Sequence, residues 1–142
     1  MRPRQFLSDK DYFAIMRKAR GRCWYCGVKI WPCDGRLGFA TVDHFRPWQA
    51  GGTDDPANLV PACKPCNSAK GHRPLDHLRH VVAIQKLGMP DFTRKQIAWM
   101  RQAGADLSDY DGFKFWFEAH RNRHTGATVR AGFVNENKAS RE

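Results

Sequence analysis

Four cysteines fall in two Cys-x-x-Cys pairs, Cys23/Cys26 and Cys63/Cys66, separated by a long insert. Two intervening residues let both thiolates of a tight turn point at one ion, and two such turns complete the tetrahedral four-sulfur shell of a structural zinc. A redox pair is the weaker reading, because one such motif would suffice and no βαβ pattern surrounds either. Cys33, in Trp31-Pro32-Cys33-Asp34-Gly35, is left over and is expected to be a free thiol in a turn between short strands. Within the insert Asp43 and His44 set a carboxylate beside an imidazole, and Asn67 directly follows Cys66. The carboxylate and the amide oxygen are hard donors suited to Mg²⁺ or Mn²⁺. An imidazole with an ordinary pKa of about 6.5 is largely neutral at pH 7 and able to take a proton from water.

These groups need elements that bring them together. Leu37 to Pro47 begins as a β-rich apolar run and reaches the Asp43-His44 pair before a proline break, which predicts a strand followed by a loop. Neighbours on a strand point to opposite sides, so Asp43 and His44 can serve one reacting group only if the strand ends or twists there. Gly51 to Pro56 is dense in turn formers, and Asn58-Leu59-Val60-Pro61 restores an apolar pair just before the second cysteine pair. Asn67 opens a short Ser68-Ala69-Lys70 turn that Gly71 can cap. A strand end, a loop and a short helix are thus expected to meet near the zinc.

The 142 residues carry 24 Lys and Arg against 14 Asp and Glu, a net charge of +10, and 42% of them are hydrophobic. That predicts one small domain with a modest core, enriched in aromatic rings, and a field that attracts polyanions, nucleic acid first among them. No run approaches the roughly 18 consecutive apolar residues of a membrane-spanning helix. The opening residues Met1 to Lys10 lack the apolar stretch of a signal peptide. With an odd cysteine count, this points to a reducing, cytoplasmic setting and to metal binding instead of disulfides.

Taken in order, Cys23-x-x-Cys26, Val42-Asp43-His44, Gly51-Gly52 with Asn58-Leu59, and Cys63-x-x-Cys66-Asn67-x-x-Lys70 resemble an HNH endonuclease. The resemblance is to the subgroup that braces its ββα-metal motif with a four-cysteine zinc, and it spans residues 23–74. It implies an α+β fold, a small treble-clef-like ββα-metal core with structural zinc, surrounded by helices. It also implies hydrolysis of DNA phosphodiester bonds by a one-metal mechanism that leaves 5′-phosphate and 3′-hydroxyl ends. His44 is then the general base, Asp43 and Asn67 hold a catalytic Mg²⁺ or Mn²⁺, and Asn58 fixes the loop that carries the base. Asn67 stands where the last histidine of the motif often stands, a variation this subgroup shows.

Lys70 lies one helical turn after Asn67, a spacing that puts both on one face, and is expected to meet a backbone phosphate. Arg46, Lys64 and Arg73 flank the same constellation as further contacts to double-stranded DNA, with generic surface charge as the plain alternative for all four. His72 is expected to face solvent or a phosphate, and the other histidines to be surface or packing residues. One site per chain cuts both strands only as a homodimer, within a larger nuclease or packaging complex, or in two encounters. A non-catalytic zinc module that binds nucleic acid is the competing reading; it accounts for the cysteines and the charge without Asp43, His44 or Asn67.

The chain is accordingly divided into an amphipathic helix in 1–22, the core in 23–74, a helical extension in 75–125 and a flexible tail in 126–142. Ser8 caps the first helix, which Gly21 ends, and Leu75 to Leu87 forms the next, closed by Gly88. A third runs from Thr93, with Gln96 completing a capping box, to Gly104. Asp109 to Gly112 reads as a turn, and Phe113, Trp116 and Phe117 as the core face of a last helix.

Overall fold

In the computed structural model, residues 7–32 and 39–124 are described. The expected Cys33 thiol and its turn, the first residues of the expected strand, and the 126–142 tail lie outside them. Helix α1, Asp9–Arg17, begins where the sequence places its cap: the Ser8 hydroxyl accepts from the Asp11 amide at 3.1 Å. It buries Ile15 and Met16. The chain then makes the first cysteine turn, in which the Cys23 amide bonds the Val28 carbonyl and Gly27 adopts φ +79°. A side chain at Gly27 would also strike Trp116, its Cβ lying 2.6 Å from that ring.

Strands β1, Ala40–His44, and β2, Leu59–Cys63, pair antiparallel, with Asp43 opposite Val60 and His44 opposite Leu59. Helix α2, Lys64–Lys70, follows without a loop, and the three elements form the ββα unit. The helix starts three residues earlier than the turn expected at Asn67, because Cys63 acts as its cap, its sulfur accepting from the Cys66 amide, and Pro65 suits the first turn. Gly71 caps its other end as expected.

Helix α3, Leu75–Lys86, and helix α4, Arg94–Gln102, match the sequence pattern, including the reciprocal Thr93/Gln96 capping box. Asp109 to Gly112, expected as a turn, is largely the one-turn helix α5, Ser108–Asp111. Helix α6, Trp116–His124, begins after Phe113 and Phe115, so the aromatic set expected on one helical face is split between the helix and its approach. Of the expected set, Phe117 is fully buried while Phe113 and Trp116 pack partly buried against the core, and Phe115, outside that set, is fully buried beside them.

One core gathers Met16, Trp24, Tyr25, Phe45, Val60, Leu78, Val82, Phe115 and Phe117. Trp24 stacks on Phe117 with centroids 5.2 Å apart, and Tyr25 meets Phe115 edge-on at 5.5 Å. The Trp116 and Phe117 amides donate to the Tyr25 and Trp24 carbonyls, so α6 is hydrogen-bonded directly to the first cysteine turn. The boundary drawn at residue 74 is therefore no boundary in packing. A smaller satellite of Ile84, Ile97 and Leu107 joins α3, α4 and α5. Among the described residues no helix is long and apolar enough to cross a membrane.

Candidate functional site

The two cysteine turns come together between the start of β2's exit and the loop after α1. The ligand atoms of Cys23, Cys26, Cys63 and Cys66 all lie within 4.8 Å of one another. The Cys26 and Cys63 sulfurs are 3.7 Å apart. Zn–S bonds of about 2.3 Å place the sulfurs of a tetrahedron about 3.8 Å apart, whereas a disulfide needs about 2.05 Å, so the donor set fits one zinc. The sulfurs also polarise one another. Contact with Cys23 holds the Cys26 thiol far below its ordinary range, and contact with the same residue pushes Cys63 and Cys66 far above theirs. A divalent cation resolves that conflict by taking all four as thiolates.

The strand ends at His44, as the sequence requires, but Asp43 and His44 keep the alternation of a regular strand. Asp43 faces inward and is 6% exposed. Its Oδ2 accepts from the Tyr25 hydroxyl at 2.6 Å and lies 3.0 Å from Lys70 Nζ. Burial pushes the Asp43 carboxyl up, opposed by the Lys70 charge and the Tyr25 hydroxyl. Burial likewise pushes Tyr25 well above the ordinary phenol range, with the Asp43 charge adding to it, so the phenol stays a donor. Lys70 itself is 1% exposed and also donates to the His44 carbonyl at 2.8 Å. The expected phosphate contact at Lys70 is corrected accordingly: the helix face it shares with Asn67 is the face pressed onto β1, and its ammonium is an internal brace.

Asn67 is half-buried on that same face, its amide nitrogen donating to Thr41 Oγ1 at 2.9 Å. The expected hard-cation pair, Asp43 with Asn67, does not fit as an open site. The Asp43 oxygen that would serve it already faces an ammonium and a phenol, which leaves the pair without net negative charge. Among the described residues the four cysteines are the one cluster of three or more His, Cys, Asp or Glu that fits an ion.

His44 has the opposite surroundings. Its side chain is 35% exposed and its Nε2 lies 2.8 Å from Asp54 Oδ1. The loop that follows is held by Asn58, whose Oδ1 accepts from the Arg46 amide and whose Nδ2 donates to the carbonyls of Arg46 and Thr53. These three bonds give Asn58 the loop-fixing geometry expected of it. Gly52 closes the loop against the Arg46 carbonyl, where an added Cβ would sit 1.8 Å from the oxygen. Arg46 is exposed on this loop and His72 and Arg73 just past the end of α2, whereas Lys64, also exposed, opens α2 at the cysteine end of the hairpin, its amide bonded to the Phe39 carbonyl. Sequence reasoning passed over Asp54 and Tyr25. Asp54 sat among turn formers, and only the presence of two adjacent acids where one suffices as a cap hinted at it; nothing in the sequence marked the Tyr25 hydroxyl.

No curated protein matches the chain. The family model described as HNH endonuclease matches residues 23–73, the stretch that holds both cysteine pairs, β1, β2, α2 and the His44 loop. Residues 23–73 are thus an HNH endonuclease domain, and the four clustered cysteines, able to hold one metal ion, fit its zinc-bound subgroup.

Proposed function

We propose that this chain hydrolyses DNA phosphodiester bonds, with His44 as the general base. The observation that carries the reading is the half-exposed His44 imidazole, set at the end of a strand whose carbonyl and following loop are pinned by Lys70 and Asn58, inside the HNH stretch. In the step, a water oxygen bonds to phosphorus as its proton passes to His44. The phosphorus bond to the 3′ oxygen breaks, and that oxygen takes a proton from water, which leaves 5′-phosphate and 3′-hydroxyl ends. Arg46, Lys64 and Arg73, on a chain of net charge +10, would track the duplex backbone. Cutting both strands takes a second copy or a second encounter, and a reducing, cytoplasmic compartment suits the four thiolates.

A catalytic Mg²⁺ or Mn²⁺ on Asp43 and Asn67 belongs to this reading through the resemblance, and Lys70 Nζ would have to leave Asp43 to admit it. The buried Asp43–Lys70 pair favours the second reading, a zinc module that binds nucleic acid without cutting it. Incubating purified protein with supercoiled plasmid in Mg²⁺, Mn²⁺ or chelator, beside His44→Ala, separates the two. Nicking by the wild type that His44→Ala loses supports the nuclease. Binding without cleavage in every metal supports the module, and equal cleavage by both proteins removes His44 as the base.

A further inference from the structure

We infer that Asp54 is a positioning residue for His44, fixing the ring so that Nδ1 is the atom that receives the proton; the inference rests on the nuclease reading. An ionised carboxylate only accepts hydrogen bonds, while a neutral imidazole has one N–H and one bare nitrogen. The 2.8 Å contact between Asp54 Oδ1 and His44 Nε2 therefore assigns the N–H to Nε2 and the lone pair to Nδ1. Without Asp54 the ring is free to turn about its outer bond and to hold either tautomer.

The backbones on both sides of this contact are anchored, which separates it from an incidental surface pair. The His44 carbonyl is held by the buried Lys70 ammonium at 2.8 Å. Asp54 sits between two committed neighbours: the Thr53 carbonyl is taken by Asn58 Nδ2 at 2.9 Å, and Asp55 Oδ1 accepts from the Ala57 amide at 2.9 Å. The neighbouring acid is thus occupied as a cap, and Asp54 alone of the two is turned toward the imidazole. The Arg101–Asp111 pair, by contrast, joins two side chains that are about half exposed. Both His44 and Asp54 remain open enough for water to reach the ring, with side-chain exposures of 35% and 28%. On proton transfer from water to Nδ1, the new charge on the ring lies against the carboxylate while the hydroxide oxygen bonds to phosphorus.

The test uses the full, zinc-loaded chain with Asp54→Ala and Asp54→Asn. Plasmid-nicking kinetics and long-range ¹H–¹⁵N spectra of the imidazoles are recorded, with His44→Gln identifying the His44 signals. Asp54→Ala is expected to lower kcat by about 10- to 100-fold with KM nearly unchanged. Its His44 signals should lose the single Nε2–H tautomer seen in the wild type. Asp54→Asn, whose amide oxygen still accepts from Nε2–H, should restore that tautomer and part of kcat. Wild-type kcat in Asp54→Ala, or an Nδ1–H tautomer in the wild type, overturns the proposal alone. A wild type that cuts DNA in no metal overturns the nuclease reading and this proposal with it.

Discussion

The zinc corner and the His44 edge sit at opposite ends of the same ββα unit and are built by opposite means. At the corner, four similar side chains converge on one point, their spacing within each turn fixed by two intervening residues. At the edge, unlike groups are sorted by side: Asp43 and Lys70 are drawn under α2, and His44 with Asp54 is left at the surface. The corner can do nothing but hold the chain together, whereas the edge gives up a little burial to keep a reactive ring in reach of water. Stability should therefore be concentrated at the first and chemistry at the second.

Effects on stability should fall in that order. Cys63→Ser, or zinc stripped by a strong chelator, should abolish cooperative unfolding in circular dichroism, since zinc binding of about 10–16 kcal/mol in small structural sites is folding energy. A zinc-free protein that melts at the wild-type temperature would break the comparison outright. Lys70→Met should cost about 3–5 kcal/mol in urea titration by leaving Asp43 charged and buried, and adding Asp43→Asn should recover much of it. Full recovery would show that the pair contributes little net energy beyond avoiding its own disruption. Phe117→Ala should cost a similar 3–5 kcal/mol through the cavity left beside Trp24 and Phe45.

A smaller effect belongs to Lys18, which donates to the carbonyls of Pro56 and Leu59 beneath the same loop. Burial lowers its pKa to about 8 from 10.5, against a weaker pull upward from Asp55. The folded state then holds fewer protons than the unfolded one between those two values, so stability should rise with pH from about 8 to 10.5. The cost of the buried charge is fully present below that window. Lys18→Met should remove the rise, which the difference between the two proteins' urea midpoints against pH would show. His44→Ala should change stability least, by under about 0.5 kcal/mol, while cleavage is lost.

What the sequence disclosed follows the same divide. Caps and ligand turns are local: Ser8, the Thr93/Gln96 box, Gly71, Gly88 and both cysteine pairs each declare themselves within four residues. Which face of a helix is buried is not local. The Asn67/Lys70 spacing correctly put both residues on one side of α2, but only the packing of α2 on β1 decides that this side is inward, and it turned an expected DNA contact into a brace. Asp54 and Tyr25 act through partners that are distant in sequence, on hydroxyl and carboxylate groups whose residue types are common in turns and cores. Phe115 escapes a 3.6-residue period because it lies before the helix begins at Trp116.

The bond between the last helix and the first cysteine turn has a consequence for synthesis. Trp24 and Tyr25 leave the ribosome well before Phe115, Trp116 and Phe117, whose rings and amides cover them. A nascent or truncated polypeptide stopping short of Phe115 would expose the back of the metal turn to water. The metal turn therefore gains its cover only once the chain has been made through Phe117, which keeps shorter products from assembling the site.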